Sequence, residues 1–270
     1  MRNILFQFLK PFFFLTITFT ITSLFIVYFQ PSPSLPSSSP PSSSPLKIQQ
    51  ENTTTTMARS FVLWLHGLGD SGPANEPIRT FFTSPEFRNT KWLFPSASPN
   101  PVSCNNGAVM PSWFDIHEIP ISATSPKDDS GVLKAVQKVH SIIDKEVAAG
   151  TNSENIFICG FSQGGALTLA SVLLYPKTLG GGAIFSGWVP FGSSVVERFS
   201  PSAKKTPILW SHGLADGTVL FEAGQAGPPF LEQNGISCEF KAYPGLGHSI
   251  SNDELQSLES WIKTKLRSSS

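Results

Sequence analysis

Ser162 sits in Gly160-Phe161-Ser162-Gln163-Gly164, between an apolar run at residues 156–159 and a second at 166–174. A short β-rich run that stops at a glycine and passes at once into a helical pattern describes a strand–turn–helix with serine at the turn. Exposing a hydroxyl at such a tip needs a strained turn, and Gly160 and Gly164, lacking a Cβ, let strand and helix close on each other. The backbone N–H of Gln163 then faces the hydroxyl from a helix N-terminus, where it can hold an oxyanion. The competing reading is a Gly-rich turn with an incidental serine.

Serine is a poor nucleophile at neutral pH, so this chemistry needs a base, and the base needs an orienting acid. Triads built on a strand-tip serine run in the order Ser, then Asp or Glu, then His. Residues 207–211 read as a buried strand leading into His212-Gly213-Leu214-Ala215-Asp216-Gly217. Residues 238–243 read as another, leading into Pro244-Gly245-Leu246-Gly247-His248. Asp216 and His248 thus stand in Gly-rich loops at strand ends, placed to face Ser162. Of the five histidines, His66 and His212 precede Gly in strand-end turns, and His117 and His140 precede the serine. Only His248 follows a candidate acid. It would take the serine proton and return it to the leaving group, while Asp216 fixes the imidazole tautomer and stabilises the imidazolium. Taken alone, Asp216 could equally be a solvated loop aspartate.

These residues need a scaffold to position them. Residues 61–65 form a continuous apolar run, as in a buried parallel strand, and end in His66-Gly67-Leu68-Gly69-Asp70-Ser71-Gly72. A His-Gly turn after an early strand suits a second oxyanion donor, here the N–H of Leu68, with the His66 side chain bonding locally. Residues 78–82 suggest a short helix and 91–95 a further strand. Residues 96–127 carry Pro99, Pro101, Pro111, Pro120 and Pro126, which forbid a continuous helix and predict a lid or binding loop. Met110, Trp113, Phe114 and Ile116 in it would line an apolar groove, or else pack as core beneath the loop. Asp115 anchors that loop or is solvated.

Asp129 and Ser130 are expected to cap an amphipathic helix with Val132, Val136, Val139, Ile143 and Val147 on its inner stripe and Gly150 at its end. His140 lies off the stripe and is expected to be exposed. Residues 183–187 read as a strand and 255–266 as a closing amphipathic helix. Strands alternating with helices predict a mostly parallel sheet covered on both faces, an α/β architecture.

Ahead of this domain, residues 11–29 form an uncharged run rich in Phe, Leu and Ile, diluted by five Thr and Ser and preceded by Arg2 and Lys10. The length suits a membrane anchor, with a cleaved signal or targeting segment as its rival. Residues 31–45 are almost entirely Pro and Ser, and a polar tract continues to residue 56. The expected division is therefore an anchor or signal at 1–30, a linker at 31–56 and a catalytic domain at 57–270. A product beginning at Met57 would be a complete cytoplasmic domain. The sequon Asn52-Thr53-Thr54 reads as a chance match in a Thr-rich tract. A formal net charge of zero argues against a nucleic-acid partner. Cys104, Cys159 and Cys238 are widely separated and suggest neither a disulfide framework nor a metal site.

Four segments together resemble the acyl-protein thioesterases of the phospholipase/carboxylesterase group of α/β hydrolases. They are Leu65-His66-Gly67-Leu68-Gly69-Asp70, Pro111-Ser112-Trp113-Phe114-Asp115, Gly160-Phe161-Ser162-Gln163-Gly164-Gly165 and His212-Gly213-x-x-Asp216. The resemblance spans about residues 58 to 266. It implies an oxyanion hole from Leu68 and Gln163, a loop that shapes an acyl channel near Trp113, and cofactor-free hydrolysis of thioesters or oxygen esters. The substrate would be an acylated protein or a small acyl ester. In character the chain is similar to short-chain-preferring plant carboxylesterases of the group, so an esterase or deacetylase without protein-thioesterase activity is the nearest alternative. A non-catalytic ligand receptor on the same fold is the alternative from another class. Two features depart from the pattern. Gly217 stands where many relatives have Pro, and the anchor and linker are foreign to a mostly cytosolic family. Positive charge before the span predicts a domain facing away from the cytosol.

Overall fold

The structure, a computed structural model, describes residues 59–268. The apolar run at 11–29, the linker at 31–56 and Met57 lie outside them. Among the described residues no helix is long and apolar enough to cross a membrane.

Among the described residues eight strands form: β1 (Ser60–Leu65), β2 (Thr90–Leu93), β3 (Pro99–Val102), β4 (Ala108–Pro111), β5 (Ile156–Phe161), β6 (Gly181–Phe185), β7 (Ile208–Gly213) and β8 (Cys238–Tyr243). Seven α-helices accompany them there: α1 (Gly72–Asn75), α2 (Asp129–Ala148), α3 (Gln163–Leu174), α4 (Ser193–Val196), α5 (Phe221–Gln225), α6 (Gly227–Gln233) and α7 (Asn252–Ser268). Six strands make one sheet in the order β2-β1-β5-β6-β7-β8, every pair parallel. This is the parallel α/β architecture that the alternation of strands and helices predicts, and it agrees with the α/β-hydrolase fold that the resemblance implies.

Side chains alternate across the sheet and divide the core in two. Phe61, Leu63 and Leu65 of β1 with Ile156 and Ile158 of β5 meet the inner stripe of α2 and the apolar side of α3. Val62 and Trp64 with Phe157 and Cys159 meet Leu255, Leu258 and Ile262 of α7 on the other face. Each fully buried Leu, Ile or Phe contributes about 1.5–3 kcal/mol against exposure. The strands are therefore held rigidly enough to aim the loops at their ends. At the edge of the sheet the buried Glu146 carboxylate on α2 pairs with Arg59 and Lys91, both at 2.6 Å.

Several local expectations are corrected. The short helix expected at 78–82 is a 3-10 helix at Glu76–Phe81. The segment 96–127, expected as a lid or binding loop, contains a hairpin in which β3 and β4 pair antiparallel, Pro99 opposite Pro111. Proline is tolerated there because a two-stranded ribbon leaves each strand one free edge. The cap of α2 is Asp128, whose carboxylate accepts from Gly131 N–H at 2.9 Å. Asp129 instead accepts from Gly192 N–H at 2.9 Å, across the fold. His140 is half-buried, its Nε2 2.8 Å from the Ser171 carbonyl and its ring against Tyr175. Burial there pushes its pKa down.

Candidate active site

The turn at Ser162 shows what the glycines are for. Ser162 has φ 55° and ψ −121°, a left-handed conformation that L residues adopt only when the surroundings enforce it. The enforcement comes from close backbone contact. A Cβ on Gly164 would lie 2.0 Å from the Leu65 carbonyl oxygen, and one on Gly160 would lie 2.3 Å from the Gly164 carbonyl oxygen. Ser162 N–H donates to the Phe185 carbonyl at 2.8 Å, tying the turn to β6.

Three strand ends converge here. Ser162 follows β5, Asp216 follows β7 and His248 follows β8. His248 Nε2 is 3.0 Å from Ser162 Oγ, and His248 Nδ1 is 2.8 Å from Asp216 Oδ2. Because ionised Asp216 can only accept, Nδ1 carries the proton and Nε2 presents its lone pair to the serine hydroxyl. The His248 ring lies 4.7 Å from that of Phe161, which limits its swing.

The second oxygen of Asp216 accepts from the N–H groups of Thr218 and Val219, both at 2.9 Å. Burial works to raise the Asp216 pKa, but the bond to His248 and the two amides outweigh it and hold the carboxyl below the usual range. Beneath it, His212 is fully buried, with Nε2 2.9 Å from the Val219 carbonyl and 3.5 Å from Asp216 Oδ2. Burial pushes the His212 pKa down, so the ring is neutral and Nε2–H donates to Val219.

The proposed oxyanion donors sit on two adjacent elements. Gln163 is the first residue of α3, so its N–H has no acceptor within the helix. Leu68 is half-buried in the turn after β1, whose next two amides, of Gly69 and Asp70, bond to the Pro111 and Gly67 carbonyls.

The four residues expected to line a groove occupy different settings, and Ile116 is buried in the core. Met110 on β4 has its sulfur 3.7 Å from where a Cβ on Gly69 would stand, beside the oxyanion turn. Trp113 is partly exposed, but its Nε1–H donates to the His66 carbonyl at 2.9 Å. Phe114 is buried in the core with its ring against Trp188. A cleft of about 380 Å³ lined by Trp113, Phe114, Lys134 and Lys138 opens towards α2. None of the three triad candidates lines it. Asp115 does anchor its loop, accepting from Ser103 N–H at 2.8 Å.

Sequence reasoning missed the Gln163 side chain, which is fully buried and bonds Ser112, Trp113 and Phe114. It also missed His212 as the floor under Asp216. The motif signals the backbone of Gln163, and its carboxamide partners lie about fifty residues away in sequence, so no local pattern reveals them. Among the described residues no cluster of His, Cys, Asp and Glu could hold a metal.

The chemistry this geometry can support is nucleophilic attack by Ser162 with a tautomer-fixed imidazole as base. Comparison with known proteins agrees in kind. A family model described as Phospholipase/Carboxylesterase matches residues 49–266. A probable carboxylesterase of Oryza sativa subsp. japonica is 80% identical over 211 residues, 78% of this chain and 79% of that one. The crystal structure of Arabidopsis thaliana SOBER1 is 71% identical with a TM-score of 0.77, covering 77% of this chain and 100% of that one. The crystal structure of Zea mays acyl-protein thioesterase 2 is 30% identical with a TM-score of 0.67, covering 78% and 95%. With the fold, the strand-tip serine and this breadth of similarity in agreement, the chain belongs to the Phospholipase/Carboxylesterase family of α/β hydrolases.

Proposed function

We propose that this protein is a serine esterase that removes acyl groups from oxygen esters or thioesters through Ser162, His248 and Asp216. Ser162 Oγ attacks the acyl carbonyl while His248 Nε2 takes its proton. The oxyanion of the tetrahedral intermediate is held by the N–H groups of Leu68 and Gln163. Collapse breaks the ester bond, and the alcohol or thiol leaves with the proton from His248. Water, activated by the same imidazole, then releases the acid and frees Ser162. The observation that carries this reading is the unbroken chain Ser162–His248–Asp216, with contacts of 3.0 and 2.8 Å.

Within this reaction, small acyl esters are favoured as substrate. The relatives at 71–80% identity are named carboxylesterases, whereas the acyl-protein thioesterase structure stands at 30%. An acylated protein is the second reading, supported by the more distant similarity to acyl-protein thioesterases, at 30–37% identity. The membrane anchor at residues 11–29, with a cytoplasmic enzyme starting at Met57 as its alternative, belongs to the same proposal. Fractionation of a full-length tagged chain tests it.

The deciding experiment is hydrolysis of p-nitrophenyl esters from acetate to palmitate by the full chain and by Ser162→Ala. Turnover is expected to be highest for the short esters and to drop by about 10⁴-fold or more in the variant. Absence of turnover from correctly folded protein would reject the esterase in favour of a ligand receptor.

A further inference from the structure

We infer that Trp113 is a positioning residue that fixes the two proposed oxyanion donors relative to each other, and so acts on turnover more than on substrate affinity. The inference rests on the esterase reading of Ser162. The two donors belong to separate turns. The ladder between β1 and β5 runs in register to Leu65 opposite Gly160, but Leu68 and Gln163 lie beyond its last pair. Sheet hydrogen bonds therefore do not set the spacing of the two N–H groups.

The segment entering the lid loop spans that gap. Trp113 Nε1–H donates to the His66 carbonyl at 2.9 Å, two residues before Leu68. The backbone N–H of the same Trp113 donates to Gln163 Oε1 at 3.1 Å. One residue is thus bonded to both halves of the hole. Its neighbours reinforce each side. The Pro111 carbonyl accepts from Gly69 N–H at 2.9 Å, one residue after Leu68. Gln163 Nε2 donates to Ser112 Oγ at 2.9 Å and to the Phe114 carbonyl at 2.7 Å. The indole also lies over the His66 ring at 5.0 Å. His66 is fully buried and accepts from Ala97 N–H at 2.9 Å through Nε2, so the surface that Trp113 grips does not itself move freely.

A buried, bonded carboxamide is costly to disturb, because each of its polar atoms would lose its partner inside the fold. The Trp113 indole N–H is a milder point of attack, since the ring is partly exposed. Trp113→Phe keeps an aromatic side chain and the backbone bond to Gln163, and deletes the bond to the His66 carbonyl together with part of the indole's contact with the His66 ring. Misplacement of one oxyanion donor by a fraction of an ångström is expected to lower kcat on p-nitrophenyl acetate by about 10-fold while KM stays within about 2-fold. The affinity for phenylboronic acid, which forms a tetrahedral adduct on the serine with an oxygen in the hole, should weaken by the same factor. Should Trp113→Phe not fold, replacement of Trp113 by benzothienylalanine, which exchanges only the N–H for sulfur, carries the same reading. Unchanged kcat and boronate affinity in a variant of either kind would overturn the inference, as would a rise in KM with kcat retained, the signature of a residue that only lines the acyl site. Wild-type turnover that is lost in Ser162→Ala supports the esterase reading whichever way Trp113→Phe behaves. Absence of wild-type turnover removes both.

Discussion

Two turns of this molecule are nearly the same in sequence and differ in what they do. His66-Gly67-Leu68-Gly69-Asp70 follows β1, and His212-Gly213-Leu214-Ala215-Asp216 follows β7. In both, the histidine is fully buried, and in both the aspartate comes four residues later. The histidines hold opposite tautomers. His66 Nε2 accepts from Ala97 N–H, so its proton is on Nδ1, 2.7 Å from the Gly67 carbonyl. His212 carries its proton on Nε2, which donates to Val219. The aspartates part company as well. Asp70 accepts from Ser71 N–H at 2.7 Å and from Asn75 Nδ2 at 2.8 Å, closing its own turn. Asp216 reaches out to His248. The same five-residue pattern therefore carries the proposed backbone donor at one strand end and the proposed acid at the other. What stands opposite each turn decides which.

The sharpest way to break this comparison is to make the same substitution in both turns. Asp216→Asn should lower kcat by about 10⁴-fold with the fold intact, because the His248 tautomer is no longer enforced. Asp70→Asn should leave kcat close to the parent's and cost about 1 kcal/mol of stability, since only hydrogen bonds within the turn are disturbed. Equal losses of kcat in the two variants, measured on p-nitrophenyl acetate, would mean that the turns are not functionally distinct.

The glycines offer a second contrast. A Cβ on Gly213 would lie 2.2 Å from the Leu246 carbonyl oxygen, in the loop that carries His248, whereas one on Gly67 would first meet Ser162 Cβ at 3.3 Å. Gly213→Ala should therefore destabilise by about 3 kcal/mol and displace His248, and Gly67→Ala by less than about 1 kcal/mol. Urea titration of the two variants reads the difference directly.

The smallest effect concerns pH. Burial holds the His212 pKa below its ordinary 6.5, so the folded ring refuses a proton that the unfolded chain takes up. Stability from this residue is present above that value and drains as pH drops below it, by up to about 1.4 kcal/mol per unit. His212→Gln, whose amide can still donate to Val219, should flatten the decline in Tm between pH 7 and pH 5. A slope unchanged from wild type would show that His212 is not the group responsible.

How far the sequence reveals such differences depends on where the partners lie. Gly160, Ser162 and Gly164 are legible because their constraints are local. A strained turn between a strand and a helix needs small residues within two positions, and that requirement appears as a pattern. The parallel sheet is legible for a similar reason, since strands buried on both faces must be apolar throughout. The hairpin of β3 and β4 was hidden because Pro99, Pro101 and Pro111 argue against a strand unless one knows that its edges are free. The cap of α2 falls on Asp128 rather than Asp129, and the two aspartates are equivalent locally. Only the distant Gly192 claims the second of them.

The sequence by itself determined the strand–turn–helix at Ser162, the alternation that builds the sheet, and the chain order of serine, acid and base. These follow from steric limits and periodicity within a few residues. Tertiary structure decided the rest. It chose which of two His-Gly-Leu-x-Asp turns delivers its aspartate to His248, gave the Gln163 side chain partners some fifty residues away, and set Trp113 across two turns rather than simply along a groove. Such choices depend on which buried polar atom finds which partner, and that is fixed only when remote segments are packed against each other and water is excluded.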